Sequence, residues 1–294
     1  MKNAILHTFN WKYTDIIQNI EKIAESGYGA ILLPPPLYSD PNGSAWWQRY
    51  QPKDYRVLLS WLGGKKELDE IIKKCHACNP PVKVFVDLVI NHMANEFRED
   101  HFDFPGKSEL ENYKKNAAFF EENRLYGDLS KSLFGYEHFN HFGDIVSYNN
   151  NEEVQNKSLG GLPDLNASEG VLEHHRNLMK AMYDMGFDGF RIDAVKHITE
   201  RQLDNTADLD YLKDKFIFGE VLTVSHEDES TFMSPFLQST HISAYDFMLF
   251  KTIREAFSPG GSLKSLMRPE QEGNALPWFR AVTFTVNHDL PLNE

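Results

Sequence analysis

Cysteine is nearly absent: Cys75 and Cys78, in KKCHACN, are the two the sequence contains. Two thiols cannot build a disulfide framework, and no second C-x-x-C completes a zinc site. Leu68, Ile71, Ile72 and Cys75 fall at helical spacing, so the pair reads as part of a helix face with buried thiols. Positive charge is also short, because 30 Lys and Arg against 43 Asp and Glu leave a net charge of −13. A phosphate backbone or an anionic membrane surface calls for the opposite sign, so neither nucleic acid nor membrane is an expected partner. No apolar run is long enough to span a bilayer. The opening MKNAILHTFNW lacks the long apolar core of a signal peptide. As written, the chain fits the cytoplasm, or secretion if a leader precedes it. No glycine-rich phosphate loop follows the first strand-like run, as a doubly wound nucleotide binder would require.

What is present fits a globular enzyme-sized chain. Apolar residues make up 41% and charged ones 25% of 294 residues, ordinary values for a packed domain and wrong for a disordered one. The length suits two domains, or one barrel carrying an insertion. Strand-like runs at 4–9, 30–33, 82–90, 188–193, 215–221, 242–246 and 281–286 alternate with helix-like runs at 14–26, 65–78, 171–185 and 247–257. In the first helix, Ile16, Ile17, Ile20, Ile23 and Ala24 make one stripe closed by Gly27, and in the third Leu172, His175, Met179 and Met182 share a face. Repeated βα units predict a parallel sheet flanked by helices. A closed barrel and an open doubly wound sheet both satisfy that pattern. The missing phosphate loop and the long stretch at 93–167 favour a TIM (β/α)8-type barrel with a small domain inserted after the third strand. The expected division is 1–92 and 168–294 for the barrel and 93–167 for the insertion. Seven strand candidates leave the eighth strand missing, so the chain is expected to be C-terminally truncated.

Alternation within strands sorts the charged residues. In GFRID, Phe190 and Ile192 point toward the helix layer, and Arg191 and Asp193 toward the barrel axis. Glu220 closes the next strand. Asp87, Asn91 and His92 mark the third strand and its end, and His288 and Asp289 follow the seventh. A strand-end acid can simply cap a helix, and an inward Arg–Asp pair can be purely structural. Four strands converging with such groups point instead to an active site at the C-terminal face. Two chemistries use converging acids and histidines: metal-assisted hydrolysis and glycoside hydrolysis. No His-x-His pair follows the first strand to favour the metal hydrolase. In the sugar chemistry, Arg191 keeps Asp193 ionised as nucleophile while Glu220, apart from that arginine, keeps its proton as the acid.

On these residues the chain resembles the α-amylase family of retaining glycoside hydrolases. DLVINH at 87–92, GFRIDAVKH at 189–197, FGEV at 218–221 and VNHD at 286–289 are similar to its four signatures, and LPDLN at 162–166 to a fifth at the end of the inserted domain. ILHTFNWKYTDI and WWQRYQPKDY look like segments of animal-type and related bacterial members. The resemblance implies endo-hydrolysis of α-1,4-glucosidic bonds in starch, glycogen or maltooligosaccharides through a covalent glucosyl intermediate. Asp193 would be the nucleophile, Glu220 the acid and base, and Asp289 a ligand of the distorted sugar, with carboxyls of Asp193 and Glu220 about 5–5.5 Å apart. His92 and His288 would bond the same sugar and Tyr50 would stack beneath it. Trp46, Trp47 and Gln51 would line the glycone side, and Lys196 and His197 the leaving side. Asn91, Asp164 and the backbone carbonyl of His197 match the family's calcium ligands, with one further ligand due from the inserted domain. Without the family match, Asp164 reads as an ordinary turn residue. Chloride is the second ion implied, at Arg191 and Asn287. The alternatives are an α-glucosidase, cyclomaltodextrinase or transglycosylase of the same family, or an inactive glucan-binding fragment. Nothing in the sequence sets the oligomeric state.

Overall fold

The computed structural model describes residues 4–96, 102–223, 225–286 and 288–289. Strands follow in chain order as β1 (Ile5–His7), β2 (Ala30–Leu33), β3 (Leu37–Tyr38), β4 (Asp54–Ser60), β5 (Gly63–Gly64), β6 (Lys83–Leu88), β7 (Gly189–Ile192), β8 (Phe216–Gly219), β9 (Ser243–Tyr245) and β10 (Ala281–Val282). Seven of them form one parallel sheet in the order β1-β2-β6-β7-β8-β9-β10. These are the seven runs read from the sequence, paired as consecutive βα units pair. Among the described residues no eighth strand joins the sheet, and β1 and β10 are its two ends.

Along the strands the period of two divides the apolar core in two. Ile31, Leu33, Val84, Val86, Leu88, Phe190, Ile192 and Ile217 lie in the large outer cluster beneath the helices. Ala30, Leu32, Phe85, Phe218 and Tyr245 form a smaller cluster on the concave side. Gly189 permits the tightest inner packing. A Cβ there would sit 2.4 Å from the Phe216 carbonyl oxygen and 2.7 Å from the Phe85 ring.

The crossover helices follow the predicted stripes. α1 (Tyr13–Glu25) buries Tyr13, Ile16, Ile20 and Ile23, with Ile17 and Ala24 at the margin. α2 (Lys65–Ala77) buries Leu68, Ile71, Ile72 and Cys75. Burial pushes the Cys75 thiol up to about 12, which makes it inert, whereas Cys78 is only half-buried.

Residues 107–156 add α3 (Lys107–Lys115), α4 (Ala117–Glu122) and α5 (Asn151–Asn156), and the third long crossover helix is α6 (Glu169–Met185). On α6, Leu172, His175, Met179 and Met182 are buried together, and Gly186 ends the helix in the left-handed region at φ 97°. Shorter elements went unpredicted. They are α7 (Glu200–Ala207), then α8 (His226–Asp228) with a π-helical turn at Glu229–Met233, and α9 (Ser234–Ser239). The run at 247–257 becomes α10 (Phe247–Ala256).

The antiparallel β3-β4-β5 sheet was also unpredicted, because Asp54 and Arg56 break the apolar pattern of β4. Their charges cancel inside the fold. Arg56 Nε and Nη2 donate to Asp54 at 3.0 and 2.9 Å, and the Tyr113 hydroxyl donates to the same carboxylate at 3.1 Å. Tyr38 and Val57 pack with Tyr113, Phe120 and Leu129, so this sheet is joined to α3 and α4 across the boundary expected at residue 92. No helix among the described residues is long and apolar enough to cross a membrane.

Phe190 is fully buried between β7 and the helix layer. Phe190→Ala is expected to cost about 3–5 kcal/mol, read as a lowered urea midpoint. Cys78→Ala should stay within about 0.5 kcal/mol in the same titration.

Candidate active site

Register brings the charges together. Arg191 on β7 lies opposite Asp87 on β6, and inward alternation aims both side chains at the same space. Arg191 Nη1 donates to both oxygens of Asp87 at 2.8 Å and to Asp193 Oδ1 at 2.6 Å. Its Nη2 lies 2.8 Å from Glu220 Oε2, a distance for an ion pair without hydrogen-bond alignment. The Tyr50 hydroxyl donates to Asp87 Oδ2 at 3.0 Å. Glu220 and Asp289 share a side-chain hydrogen bond, and His288 Nε2 stands 3.2 Å from Asp289 Oδ2. Asp193, Glu220 and Asp289 therefore meet around one guanidinium, and Asp87 is a fourth acid that the sequence reading placed in its strand without a role.

One expectation is overturned. Glu220 was to stand apart from Arg191, but β7 and β8 are adjacent, with Ile192 paired to Gly219. The next residue on each strand falls within reach of the same side chain. The proton bias follows. Burial holds Asp193 well above the usual carboxylate range, against the pull of Arg191 and with the push of Glu220 and Asp87. Burial also acts upward on Glu220, but Arg191, the bond from Asp289, the Ala194 N–H and His288 together bring it below its ordinary value. Asp87 is pushed up to about 6 by burial despite Arg191, and Asp289 to about 7 by burial and by Glu220. Arg191 is thus shared by Asp87, Asp193 and Glu220 in this geometry.

An aromatic wall stands beside the acids. The His288 ring is stacked between Tyr50, at 5.4 Å and 20°, and Phe9, at 4.6 Å and 30°. Trp46 and His7 meet it edge-on at 5.7 and 5.5 Å. Trp46 and Trp47 remain 40% and 48% exposed, an unusual amount of open indole surface. Gln51 follows in the same turn and is half-buried. Buried Arg49 shapes that turn by donating to Ser39 Oγ and to the carbonyls of Asp40 and Gly43. His7 and Phe9 were missed, although their position at the end of β1 was the available signal.

The remaining candidates are placed as follows. His92 has both ring nitrogens engaged, Nε2 with the Tyr50 carbonyl at 3.0 Å and Nδ1 with Asn91 at 3.3 Å, so it fixes the Tyr50 turn. Lys196 Nζ donates to the Leu222 carbonyl at 3.2 Å. His197 is buried, with Nδ1 at 3.0 Å from the Val154 carbonyl oxygen. Asn91 and Asp164 are together. Asp164 Oδ2 accepts from Asn140 at 2.7 Å, the Asn91 side chain also bonds this carboxyl, and Oδ1 is buried without a hydrogen-bond partner. Burial pushes Asp164 up to about 8. Among the described residues no three His, Cys, Asp or Glu cluster as metal ligands. Arg191 Nε is also buried without a hydrogen-bond partner. Asn287 lies outside the described residues.

The raised carboxyls bear on stability with a definite sign. A carboxyl with a folded pKa near 7 stays protonated in the fold where the unfolded chain has already ionised, so its contribution is lost as pH rises from about 4 to 7. Asp289→Asn removes that loss. The variant's thermal midpoint, read by calorimetry, is expected to exceed wild type more at pH 8 than at pH 4.5.

A family model described as the alpha amylase catalytic domain matches residues 12–249. The chain is 37% identical to an alpha-amylase from Aeromonas hydrophila, covering 99% of this chain and 64% of that protein. It is 28% identical to pancreatic alpha-amylase from Rattus norvegicus, covering 98% and 57% respectively. Among solved structures it matches wild-type alpha-amylase I from Eisenia fetida with a TM-score of 0.74 at 25% identity, covering 97% of this chain and 57% of that one. A cyclomaltodextrin glucanotransferase with three domains matches with a TM-score of 0.73 at 26% identity, covering 95% and 57%. The chain therefore spans 57–64% of the length of these relatives, less than two thirds of each. With a parallel barrel-like sheet, acids gathered at the C-terminal ends of its strands and a family match over most of its length, the chain belongs to the alpha-amylase family.

Proposed function

We propose that this chain carries the chemistry of retaining endo-hydrolysis of α-1,4-glucosidic bonds in starch, glycogen or maltooligosaccharides. The observation that supports this most directly is the meeting of Asp193, Glu220 and Asp289 around Arg191. In this reading Asp193 attacks the anomeric carbon while Glu220 delivers a proton to the departing glycosidic oxygen, leaving a covalent glucosyl ester. Glu220, now ionised, removes a proton from water, whose oxygen displaces Asp193 at the same carbon. Two inversions give net retention.

The electrostatics suit that sequence once a sugar is present. Positive charge developing at the anomeric carbon favours ionised Asp193, and a glycosidic oxygen near Glu220 favours its neutral form. In this reading a sugar in the site leaves Asp193 ionised and Glu220 holding the proton. Asp289 and His288 would bond the distorted sugar above the Tyr50 ring. Trp46, Trp47 and Gln51 would line the glycone side, and Lys196 and His197 the leaving side. In the same reading, residues 102–167 belong to a lobe inserted in the barrel and packed on the β3-β4-β5 sheet through Tyr113, Phe120 and Leu129.

Two ions belong to the proposal. Asp164 fits calcium, since it is a buried carboxyl with one orphaned oxygen, flanked by Asn91 and Asn140 and facing no cationic side chain bonded to it. Asn91, Asp164 and the His197 carbonyl would hold the ion, with Asn140 as the added residue. Bound there, calcium would supply positive charge between the lobe and the barrel. Chloride beside the orphaned Arg191 Nε would add negative charge near Glu220 and favour its neutral form. A second reading, glucanosyl transfer, is favoured by the likeness to the glucanotransferase.

Anomeric NMR of the products from soluble starch tests the main reading. Maltooligosaccharides should appear first as α-anomers, and Glu220→Gln should lower turnover at least about a thousandfold. Cyclic or elongated products would show transfer instead, and β-anomers would overturn retention. For the metal, calcium at about 100 times its dissociation constant should add about 2.7 kcal/mol of stability, seen as a higher thermal midpoint. Asp164→Asn should abolish that calcium-dependent rise.

A further inference from the structure

We infer that Ala194 is a positioning residue for Glu220, its left-handed main chain fixing one carboxyl oxygen so that the other carries the transferable proton. This rests on the proposed roles of Asp193 and Glu220, and adds how their relative position is set. Among the described residues, Asn10 and Ala194 are the non-glycine residues with positive φ. Asparagine tolerates that region, but alanine enters it against the clash of its Cβ with the following carbonyl. Ala194 sits there at φ 49°, ψ 38°, immediately after Asp193.

The reversal aims two consecutive amides at one residue. Ala194 N–H donates to Glu220 Oε2 at 3.2 Å, and Val195 N–H donates to the Glu220 carbonyl at 2.9 Å. Glu220 N–H in turn donates to the Ile192 carbonyl at 3.0 Å. The segments carrying nucleophile and acid are therefore tied at three points. The approach is close: a Cβ on Gly219 would stand 2.7 Å from Val195 Cγ2. Oε2 accepts from the Ala194 amide and lies 2.8 Å from the positive Arg191 Nη2, so a proton on that oxygen would oppose both. Neither of these two contacts falls on Oε1, and the side-chain bond with Asp289 is the further contact of this carboxyl.

Glu220 is also faced by Asp193 and Asp87 from neighbouring strands, by His288 and Asp289 beyond β10, by Lys196 and His197 from the turn, and by Tyr245 from β9. None of these changes when the Ala194 amide alone is removed. The test is the full chain with lactate in place of alanine at position 194, which exchanges the N–H for an ester oxygen and keeps the methyl group. Glu220 is followed by carboxyl ¹³C NMR, its signal identified by loss in Glu220→Gln. The ester should raise the Glu220 titration by about one pH unit and lower kcat about tenfold, with KM changed less than about twofold. Ala194→Val, which cannot hold the left-handed backbone, should behave like the ester, and Ala194→Gly should restore both readouts. An ester that titrates as the alanine chain does, or a glycine variant as impaired as the ester, would overturn the inference. The titration needs no substrate, so an inactive chain would sink the proposed function and still decide the role of Ala194.

Discussion

The site depends on one buried guanidinium. Arg191 is 1% exposed and is held by acids from β6 and β7 and from the end of β8. A cation at that depth is tolerated only with anions against it, and those anions are tolerated only with the cation. Removing the arginine would strand Asp87, Asp193 and Glu220 without a counter-charge, at a cost of about 3–5 kcal/mol for a broken buried pair. The parallel sheet makes the arrangement cheap to specify. Once β6, β7 and β8 are in register, inward-facing residues near their ends meet without any loop having to find them.

The rest of the barrel prepares the environment in which those charges act. Below them, Leu32, Phe85, Phe218 and Tyr245 line the concave side of the sheet with apolar side chains. Beside them, Phe9, Tyr50 and His288 make a stack of rings. Arg191 and Asp87 lie almost fully buried among these groups, which strengthens their charge interaction and raises the cost of any unpaired group. The turn bearing Tyr50 is fixed from two directions, by Arg49 inside it and by His92 on its carbonyl. The aromatic wall is therefore as firmly set as the strands.

The strands and their inward acids were legible because a period of two leaves little freedom: once Phe190 faces the helices, Arg191 must face the axis. The signatures read on the same residues led to the family that the comparisons show. Contacts that depend on register between strands were not legible. Glu220 reaches Arg191 because Ile192 pairs with Gly219, and a slip of one residue would have parted them. The β3-β4-β5 sheet stayed hidden because Asp54 and Arg56 are polar in sequence and neutralised only in the fold. Without the family resemblance Asp164 reads as a turn residue for a related reason, since burial, not residue type, makes it unusual.

That carboxyls of this pocket hold protons follows from counting its charges. Asp87, Asp193 and Glu220 lie against one guanidinium and Asp289 bonds Glu220, so full ionisation would set four negative charges beside one positive charge. Such a cluster keeps protons near neutral pH whichever carboxyls hold them, and the raised positions of Asp87, Asp193 and Asp289 express this. In the proposed reading, isolation of Glu220 from Arg191 is therefore not needed for it to serve as the general acid. What that reading needs is a preference between the two Glu220 oxygens. Arg191 and the Ala194 amide both press on Oε2, so a proton there is opposed twice. Charge number keeps protons in the cluster, and the left-handed turn after Asp193 sets the two Glu220 oxygens apart.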